Sequence, residues 1–241
     1  MHNTPPTSWQ PLEYDIRRGV IRWLIREATG CVLVALSLFV PAGRWGWGMG
    51  WALVAIYAAW TTVSAILLIP RAPELLIERA MRRRDTPSWD KKLLSLIGLS
   101  TLARNLVAGL DLRYGWSCAL PDWARWIALA LAAAGYALVA WAMVSNAFFA
   151  AINRIQVERD HHVVTGGPYR FVRHPAYTGT LVFELLTPLM LGSWWALLAG
   201  GVNALLLIVR TALEDRMLHQ ELPGYRAFAE RTRYRLLPGV W

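Results

Sequence analysis

The sequence predicts an all-α fold, a polytopic transmembrane helical bundle with about six membrane segments. The chain has 241 residues, is 56% hydrophobic, carries 14 Trp and has a mean hydropathy of +0.32. A soluble domain is usually about 45–50% apolar, and the excess here lies in long unbroken runs. Lipid cannot satisfy backbone groups, so such runs form helices or closed barrels. Barrel strands alternate apolar with polar residues, and these runs do not.

Four runs are predicted to span. A helix needs about 20 apolar residues to cross the hydrocarbon core. No charged residue occurs in Trp45 to Ile69 or in Trp126 to Ile152. Leu24 to Ala42 has charged side chains only near its edge, where long side chains can reach the interface. Leu93 to Leu110 is interrupted by Arg104 and the Asn beside it.

Two shorter runs complete the six segments. Tyr177–Leu191 and Trp194–Val209 are separated only by Gly192 and Ser193. This spacing predicts a tight helical hairpin, which either crosses the membrane twice or re-enters it.

Loop charges support this count. Lys and Arg number four in 1–26, seven in 70–92, four in 152–175 and six in 209–241, whereas the intervening loops hold three. The positive-inside rule then predicts a multi-pass protein with both termini cytoplasmic, in the inner membrane if the source is bacterial.

The net charge is +9, and the basic residues lie between the apolar runs. Membrane lipids with anionic headgroups are therefore favoured over nucleic acid as partners. The basic segment 70–92 is interpreted as a connector lying among headgroups rather than as a substrate element.

The densest polar stretch is 153–179, NRIQVERDHHVVTGGPYRFVRHPAYTG. Pro175 restricts His174 to an extended conformation and suits the first turn of a following helix. His174 would then lie at a helix N-terminus, where a carboxylate or phosphate is favoured. The alternative is an ordinary basic loop at the headgroups.

A second pattern is Arg210-x-x-x-Glu214, two residues that share a helix face. The guanidinium of Arg210, at the end of the last apolar run, is suited to clamp a carboxylate, and a salt bridge capping the helix is the alternative. Arg104 and Glu184 lie inside apolar runs, where ionisable groups usually face a cavity or each other. We expect them to pair or to line a substrate cavity, with Asp111 as a rival partner for Arg104.

No metal site is predicted, because His161 and His162 lack a third ligand at a known spacing. No P-loop and no GxGxxG motif after a strand is found either.

Residues 161–179, HHVVTGGPYRFVRHPAYTG, resemble the signature of the isoprenylcysteine carboxyl methyltransferase superfamily. That signature has a His, a short turn ending in Tyr, and then Arg-His-Pro-x-Tyr-x-Gly. The Arg210-x-x-x-Glu214 pair and the ending TRYRLLPGVW match in order and spacing. The resemblance covers roughly 135–241 and implies two parts: N-terminal transmembrane helices with a basic cytoplasmic loop in 1–134, and a methyltransferase core in 135–241.

Members of this family use S-adenosylmethionine without a soluble Rossmann fold and release S-adenosylhomocysteine. The resemblance implies a cytoplasmic cofactor site formed by Gln156, His161, His162, Val163, Val164, Tyr169, His174, Pro175, Ala176, Tyr177 and Glu214. It implies that Arg210 is the catalytic or substrate-orienting residue.

The resemblance leaves the acceptor open. Relatives with this pattern methylate prenylated cysteine, phospholipid amines or small thiols, so we expect a lipid or lipophilic acceptor with a carboxylate, thiol or amine. Relatives with a similar C-terminal motif are sterol-type reductases that use NADPH, and this is the first alternative. The second alternative is a non-enzymatic lipid-binding membrane protein.

Overall fold

The computed structural model describes residues 13–80 and 86–241, and this part of the chain is helical without a β-strand. Its helices in chain order are α1 (Glu13–Ala42), α2 (Gly48–Leu68), α3 (Pro73–Ala80), α4 (Ser88–Tyr114), α5 (Asp122–Val144), α6 (Pro175–Leu191), α7 (Trp194–Glu221) and α8 (Tyr225–Arg231). The 3₁₀ turns Val157–Arg159 and Gly167–Arg170 lie between α5 and α6. The all-α fold class is confirmed.

Five of the described helices, α1, α2, α4, α5 and α7, are long and apolar enough to cross a membrane. The sixth predicted segment is α6, whose 17 residues give a length of about 25 Å. That is slightly less than the hydrocarbon core of about 30 Å. The polytopic helical bundle is therefore confirmed.

The predicted span Trp126–Ile152 is too long at its C-terminal end, because α5 stops at Val144. Asn146 begins the break: its side-chain oxygen accepts from the backbone N–H of Phe148 at 2.8 Å. Its amide nitrogen donates to the Tyr169 hydroxyl at 3.1 Å. The apolar residues that follow face an internal cavity instead of lipid.

Helices α4 and α7 lie antiparallel from Asp111 and Ser193 at one end to Asp90 and Arg210 at the other. Asp90 in the first turn of α4 binds Arg210 of α7, and Thr101 accepts from Asn203 midway. At the other end, Ser193 before α7 donates to Asp111. The start of α4 and the end of α7 therefore lie at the same end of the bundle. This end also holds the start of α6 and the end of α5, and we call it the basic end.

Helices α5 and α6 also lie antiparallel. Near the basic end, Gly135 and Gly179 meet so closely that a Cβ on Gly135 would lie 2.6 Å from the carbonyl oxygen of Gly179. At the opposite end, the Arg125 side chain reaches the carbonyl oxygen of Met190 at 3.5 Å. Helix α6 thus runs alongside the membrane-spanning α5 almost from end to end, which favours two crossings for the α6–α7 hairpin. The expected division after residue 134 falls inside α5 and stays a prediction.

Candidate active site

A cavity of about 620 Å³ opens at the basic end and extends between the helices. Its volume is in the range of ligand pockets, about 300–1,000 Å³. The polar end is formed by His161, His162, Tyr169, His174, Tyr177, Arg210 and Glu214. The deep end is formed by Tyr57, Trp60, Tyr136, Phe183 and Glu184. One continuous space therefore joins a polar site to an aromatic one inside the bundle.

The structure brings nearly all of the sequence-predicted residues to this cavity. Every predicted cofactor-binding residue except Gln156 lines it, as do Arg210 and Glu184. Gln156 is buried behind the wall, where its amide donates to the carbonyl of Phe148 at 2.7 Å and accepts from Arg159 at 2.7 Å. Gln156 thus supports the wall formed by Phe148, and its expected cofactor contact stays a prediction.

Tyr177 and Glu214 join α6 to α7 at the polar end. The Tyr177 hydroxyl donates to Glu214 Oε2 at 2.5 Å, and His174 Nδ1 lies 3.6 Å from Glu214 Oε1. The guanidinium carbon of Arg210 lies 5.4 Å from the centroid of the Tyr177 ring, close enough for a cation–π contact. Tyr177 thus contacts a carboxylate through its hydroxyl and a guanidinium through its ring.

Arg210 does not pair with Glu214, its neighbour one turn along the helix. Its Nε donates to Asp90 Oδ1 at 2.7 Å, and its Nη2 donates to Asp90 Oδ2 at 3.3 Å and to the Ala151 carbonyl at 3.1 Å. Among the described residues, Nη1 has no hydrogen-bond partner although Arg210 lines the cavity. The alternative interpretation, a salt bridge between Arg210 and Glu214 that caps the helix, is therefore wrong: Arg210 forms a bidentate pair with Asp90 across α4 and α7. One of its donor nitrogens is left for a ligand.

His174 is the N-cap residue of α6, as Pro175 predicts. The anion near its ring is supplied by the chain itself, because His174 Nε2 lies 3.2 Å from Asp215 Oδ1. Burial lowers the pKa of His174, but hydrogen bonds to Asp215 and Glu214 outweigh it, so the pKa is raised above 6.5. His174 thus lies between two carboxylates that favour its protonated form.

Asp215 also fastens the C-terminal tail over the start of α6. It accepts hydrogen bonds from Arg173 at 2.9 Å, Tyr225 at 2.9 Å and Arg235 at 2.8 Å. The backbone N–H of His174 donates to the carbonyl of Arg235 at 2.9 Å. The family-like ending TRYRLLPGVW thus holds the His174 segment in place from outside the cavity.

His161 and His162 line the cavity beside Phe148. The His161 ring stacks on the Phe148 ring with centroids 4.5 Å apart, and His162 meets the same ring edge-on at 4.8 Å. Burial, and then the positive charges of His162 and Arg154, lower the pKa of His161 to about 4. His161 is therefore neutral at pH 7.

The turn before α6 brings Tyr169 into the wall. Gly167 has φ +58°, and a Cβ there would overlap the side chain of Ser145, so the Gly-Gly-Pro turn requires glycine at this position. Burial raises the pKa of Tyr169, whose hydroxyl accepts from Asn146. Tyr169 thus presents a neutral hydroxyl.

At the deep end, the structure confirms the expected pairing of Arg104 with Glu184. Arg104 Nη1 donates to Glu184 Oε2 at 2.5 Å, and Nε and Nη2 donate to Asn105. Glu184 lines the cavity and Arg104 lies behind it. The rival partner Asp111 instead accepts from two serines at the far end of the bundle.

Sequence reasoning missed four residues of the wall or its support: Asp90, Asn146, Asp215 and Arg79. Asp90 is fully buried, and its only sequence signal is an acid at the basic edge of an apolar run. Arg79 lines the cavity with its guanidinium carbon 5.3 Å from the Phe149 ring centroid and 5.8 Å from that of Trp60. Part of the segment 70–92, which was interpreted as a headgroup connector, thus forms a wall of the cavity.

Within 13–80 and 86–241, no group of three or more His, Cys, Asp or Glu side chains is arranged to hold a metal ion.

Comparison with known proteins agrees with the sequence resemblance. No curated protein matches the chain. Residues 126–220, from the first turns of α5 to the end of α7, match the family model described as isoprenylcysteine carboxyl methyltransferase (ICMT). The matched segment contains the His-rich stretch, Arg210 and Glu214. Over these residues the chain is similar to the ICMT family, and this match supports a membrane methyltransferase.

Proposed function

We propose that this protein is a methyltransferase that transfers the methyl group of S-adenosylmethionine to a lipid or lipophilic acceptor bearing a carboxylate, thiol or amine. One observation carries the proposal: a single cavity joins a polar end, built from the family-like residues, to an aromatic deep end between membrane-crossing helices. Such a cavity accommodates a water-soluble cofactor and an apolar acceptor together. The match over 126–220 supports the methyltransferase class.

The polar end suits a cationic cofactor. S-adenosylmethionine, when bound, supplies a methyl group on a sulfonium centre, which needs no acid activation. Glu214 offers a carboxylate in the cavity wall, and Tyr177 fixes its position by a hydrogen bond. His161 adds no positive charge at pH 7, because its pKa is about 4. These groups favour a cation at the polar end.

The remaining work is positioning of donor and acceptor in a fixed electrostatic frame. Arg210, held by Asp90, can orient an anionic acceptor with its spare Nη1. An amine acceptor must also lose a proton. His161 lines the cavity and is neutral at pH 7, since its pKa is about 4, so it can accept that proton.

The basic end is the one that the positive-inside rule assigns to the cytoplasm. We propose that the cofactor enters the cavity from that side and that the acceptor enters from the bilayer. Both termini are then cytoplasmic.

The test is calorimetric titration of the purified protein in mild detergent with S-adenosylhomocysteine, and with NADPH in parallel. S-adenosylhomocysteine is expected to bind, and Glu214→Ala is expected to abolish that binding. The matched control is Glu221→Ala, an exposed acid on the same helix, which should bind as the wild type does. Binding of NADPH alone would support the reductase alternative. Binding of neither ligand by folded protein would support the non-enzymatic alternative.

A further inference from the structure

The deep end of the cavity contains polar groups that the proposed methyl transfer does not use. Glu184 is only 5% exposed and lines the cavity. Its Oε2 accepts from Arg104 at 2.5 Å and from Asn203 at 2.8 Å. Its Oε1 has no hydrogen-bond partner in 13–80 or 86–241. An ionisable group inside the membrane that points into a cavity is usually functional.

Two tyrosines, Tyr57 and Tyr136, line the same end of the cavity as Glu184. Their ring centroids lie 5.6 Å apart. Both rings pack against Phe183, the residue before Glu184, with centroid distances of 5.7 Å for Tyr57 and 4.6 Å for Tyr136. Within the described part of the chain, the Tyr136 hydroxyl has no hydrogen-bond partner. The deep end therefore offers one strong acceptor and two donors in aromatic surroundings.

The separation of the two ends follows from helix geometry. Tyr177 and Glu184 lie seven residues, or two turns, apart on the same face of α6, and Thr180 between them also lines the cavity. At 1.5 Å per residue, this separation is about 10 Å. A ligand that fills the cavity therefore meets polar groups at both ends and apolar walls between them.

We infer that the deep end, formed by Glu184, Tyr57 and Tyr136, is a subsite for a hydroxyl group that the lipophilic acceptor carries about 10 Å from its methylated end. A hydroxyl both donates and accepts, which matches the free oxygen of Glu184 and the tyrosine hydroxyls. A plain hydrocarbon chain would leave the Glu184 oxygen buried and unpaired, which costs free energy. The identification of this ligand as the methyl acceptor rests on the proposed function.

The test uses pairs of probes in nanodiscs of zwitterionic lipid: medium-chain ω-hydroxy fatty acids and the unsubstituted fatty acids of the same length. Dissociation constants are measured by calorimetry without cofactor. At the chain length that spans the two ends, the hydroxy acid is expected to bind about tenfold more tightly or better, as for a hydrogen bond to a charged group. Equal binding of both acids at every length would overturn the inference.

Variants locate the effect. Tyr136→Phe removes only a hydroxyl and should lower the preference several-fold, whereas Tyr114→Phe, an exposed tyrosine, should leave it unchanged. Replacing the whole pair with Arg104→Met and Glu184→Leu avoids a lone buried charge and should reduce the ratio to about one. A preference that survives in both cavity variants would contradict the subsite.

The outcome is separable from that of the proposed function. Hydroxyl preference without binding of S-adenosylhomocysteine would keep the subsite and refute the methyl acceptor as its ligand. Cofactor binding without hydroxyl preference would keep the methyltransferase and refute the subsite.

Discussion

Two of the buried arginine–carboxylate pairs that border the cavity, Arg210–Asp90 and Arg104–Glu184, expose opposite partners to it. At the polar end, Asp90 is saturated, since its two oxygens accept from Arg210 and from both the backbone and the side chain of Asn153. Arg210 keeps a free nitrogen. At the deep end, all three side-chain nitrogens of Arg104 donate to Glu184 or Asn105, and Glu184 keeps a free oxygen. The polar end thus presents a donor for an anion, and the deep end presents an acceptor.

This difference shows how a bundle can carry charge in a membrane and still bind ligands. Desolvating two charges costs several kcal/mol per ion, and only good geometry with further hydrogen bonds offsets that cost. Each pair saturates the member that lies away from the ligand. The member in the cavity wall keeps one unsatisfied atom, and that atom selects the ligand's chemistry.

The largest expected effect is the loss of the carboxylate that holds Arg210. Asp90→Ala leaves a buried guanidinium without its counter-ion, and we expect a loss of about 3–5 kcal/mol in the free energy of unfolding. Thermal unfolding followed by tryptophan fluorescence measures it. Asp122→Ala is the control, since the Asp122 side chain is 86% exposed in its pair with Arg125. A loss at Asp90 no larger than that at Asp122 would show that Arg210 does not need its partner.

The next effect concerns turnover. Arg210→Ala is expected to lower kcat about 10²–10³-fold, as for the loss of one preorganised donor. The dissociation constant of S-adenosylhomocysteine should stay within about threefold of the wild-type value, which is a change of less than about 1 kcal/mol in binding free energy. Calorimetry and methyl transfer from labelled S-adenosylmethionine to extracted lipids measure the two quantities. Arg216→Ala, an exposed arginine on the same helix, should change neither. Equal losses of binding and turnover would contradict an acceptor-orienting role.

The sequence was sufficient for the order of the apolar helices, for the grouping of most family-like residues around one cavity and for the Arg104–Glu184 pair. Apolar runs and intramembrane charges are local signals, and lipid leaves few ways to satisfy them. The partner of Arg210 was not predictable in the same way, because Asp90 lies 120 residues away in the first turn of another helix. Asp215 was missed although it adjoins Glu214. One residue turns the helix by about 100°, so Glu214 faces the cavity and Asp215 faces the tail.

A smaller effect, the pH dependence of stability, separates His174 from His161 at the polar end. The pKa of His174 is raised above 6.5, so its contribution to stability is full below pH 6.5 and is lost as pH rises through the folded-state pKa. The pKa of His161 is lowered to about 4, so stability falls as pH drops from 6.5 toward 4.

Unfolding midpoints measured across this pH range test both directions of the pH dependence. His174→Gln should flatten the alkaline side of the profile, and His161→Asn should flatten the acid side. The exposed His162→Gln is the control.

No histidine lines the deep end, so the hydroxyl preference of the fatty-acid probes should not change between pH 6 and 8. A preference that follows the titration of His174 would couple the two ends and weaken the contrast between them.

The smallest expected effect is on stability when the deep pair is replaced as a unit. Exchanging a buried ion pair for apolar residues of similar volume is often neutral or stabilising. Arg104→Met together with Glu184→Leu should therefore change the free energy of unfolding by less than about 1 kcal/mol. Either substitution alone should cost about 3–5 kcal/mol, because it leaves an unpaired buried charge. A double variant that keeps its unfolding midpoint but loses the hydroxyl preference would show that the pair serves ligand recognition. A double variant as unstable as the single variants would show that the pair mainly holds α4, α6 and α7 together. The instability would then come from Asn105 and Asn203, which lose their hydrogen-bond partners in the pair.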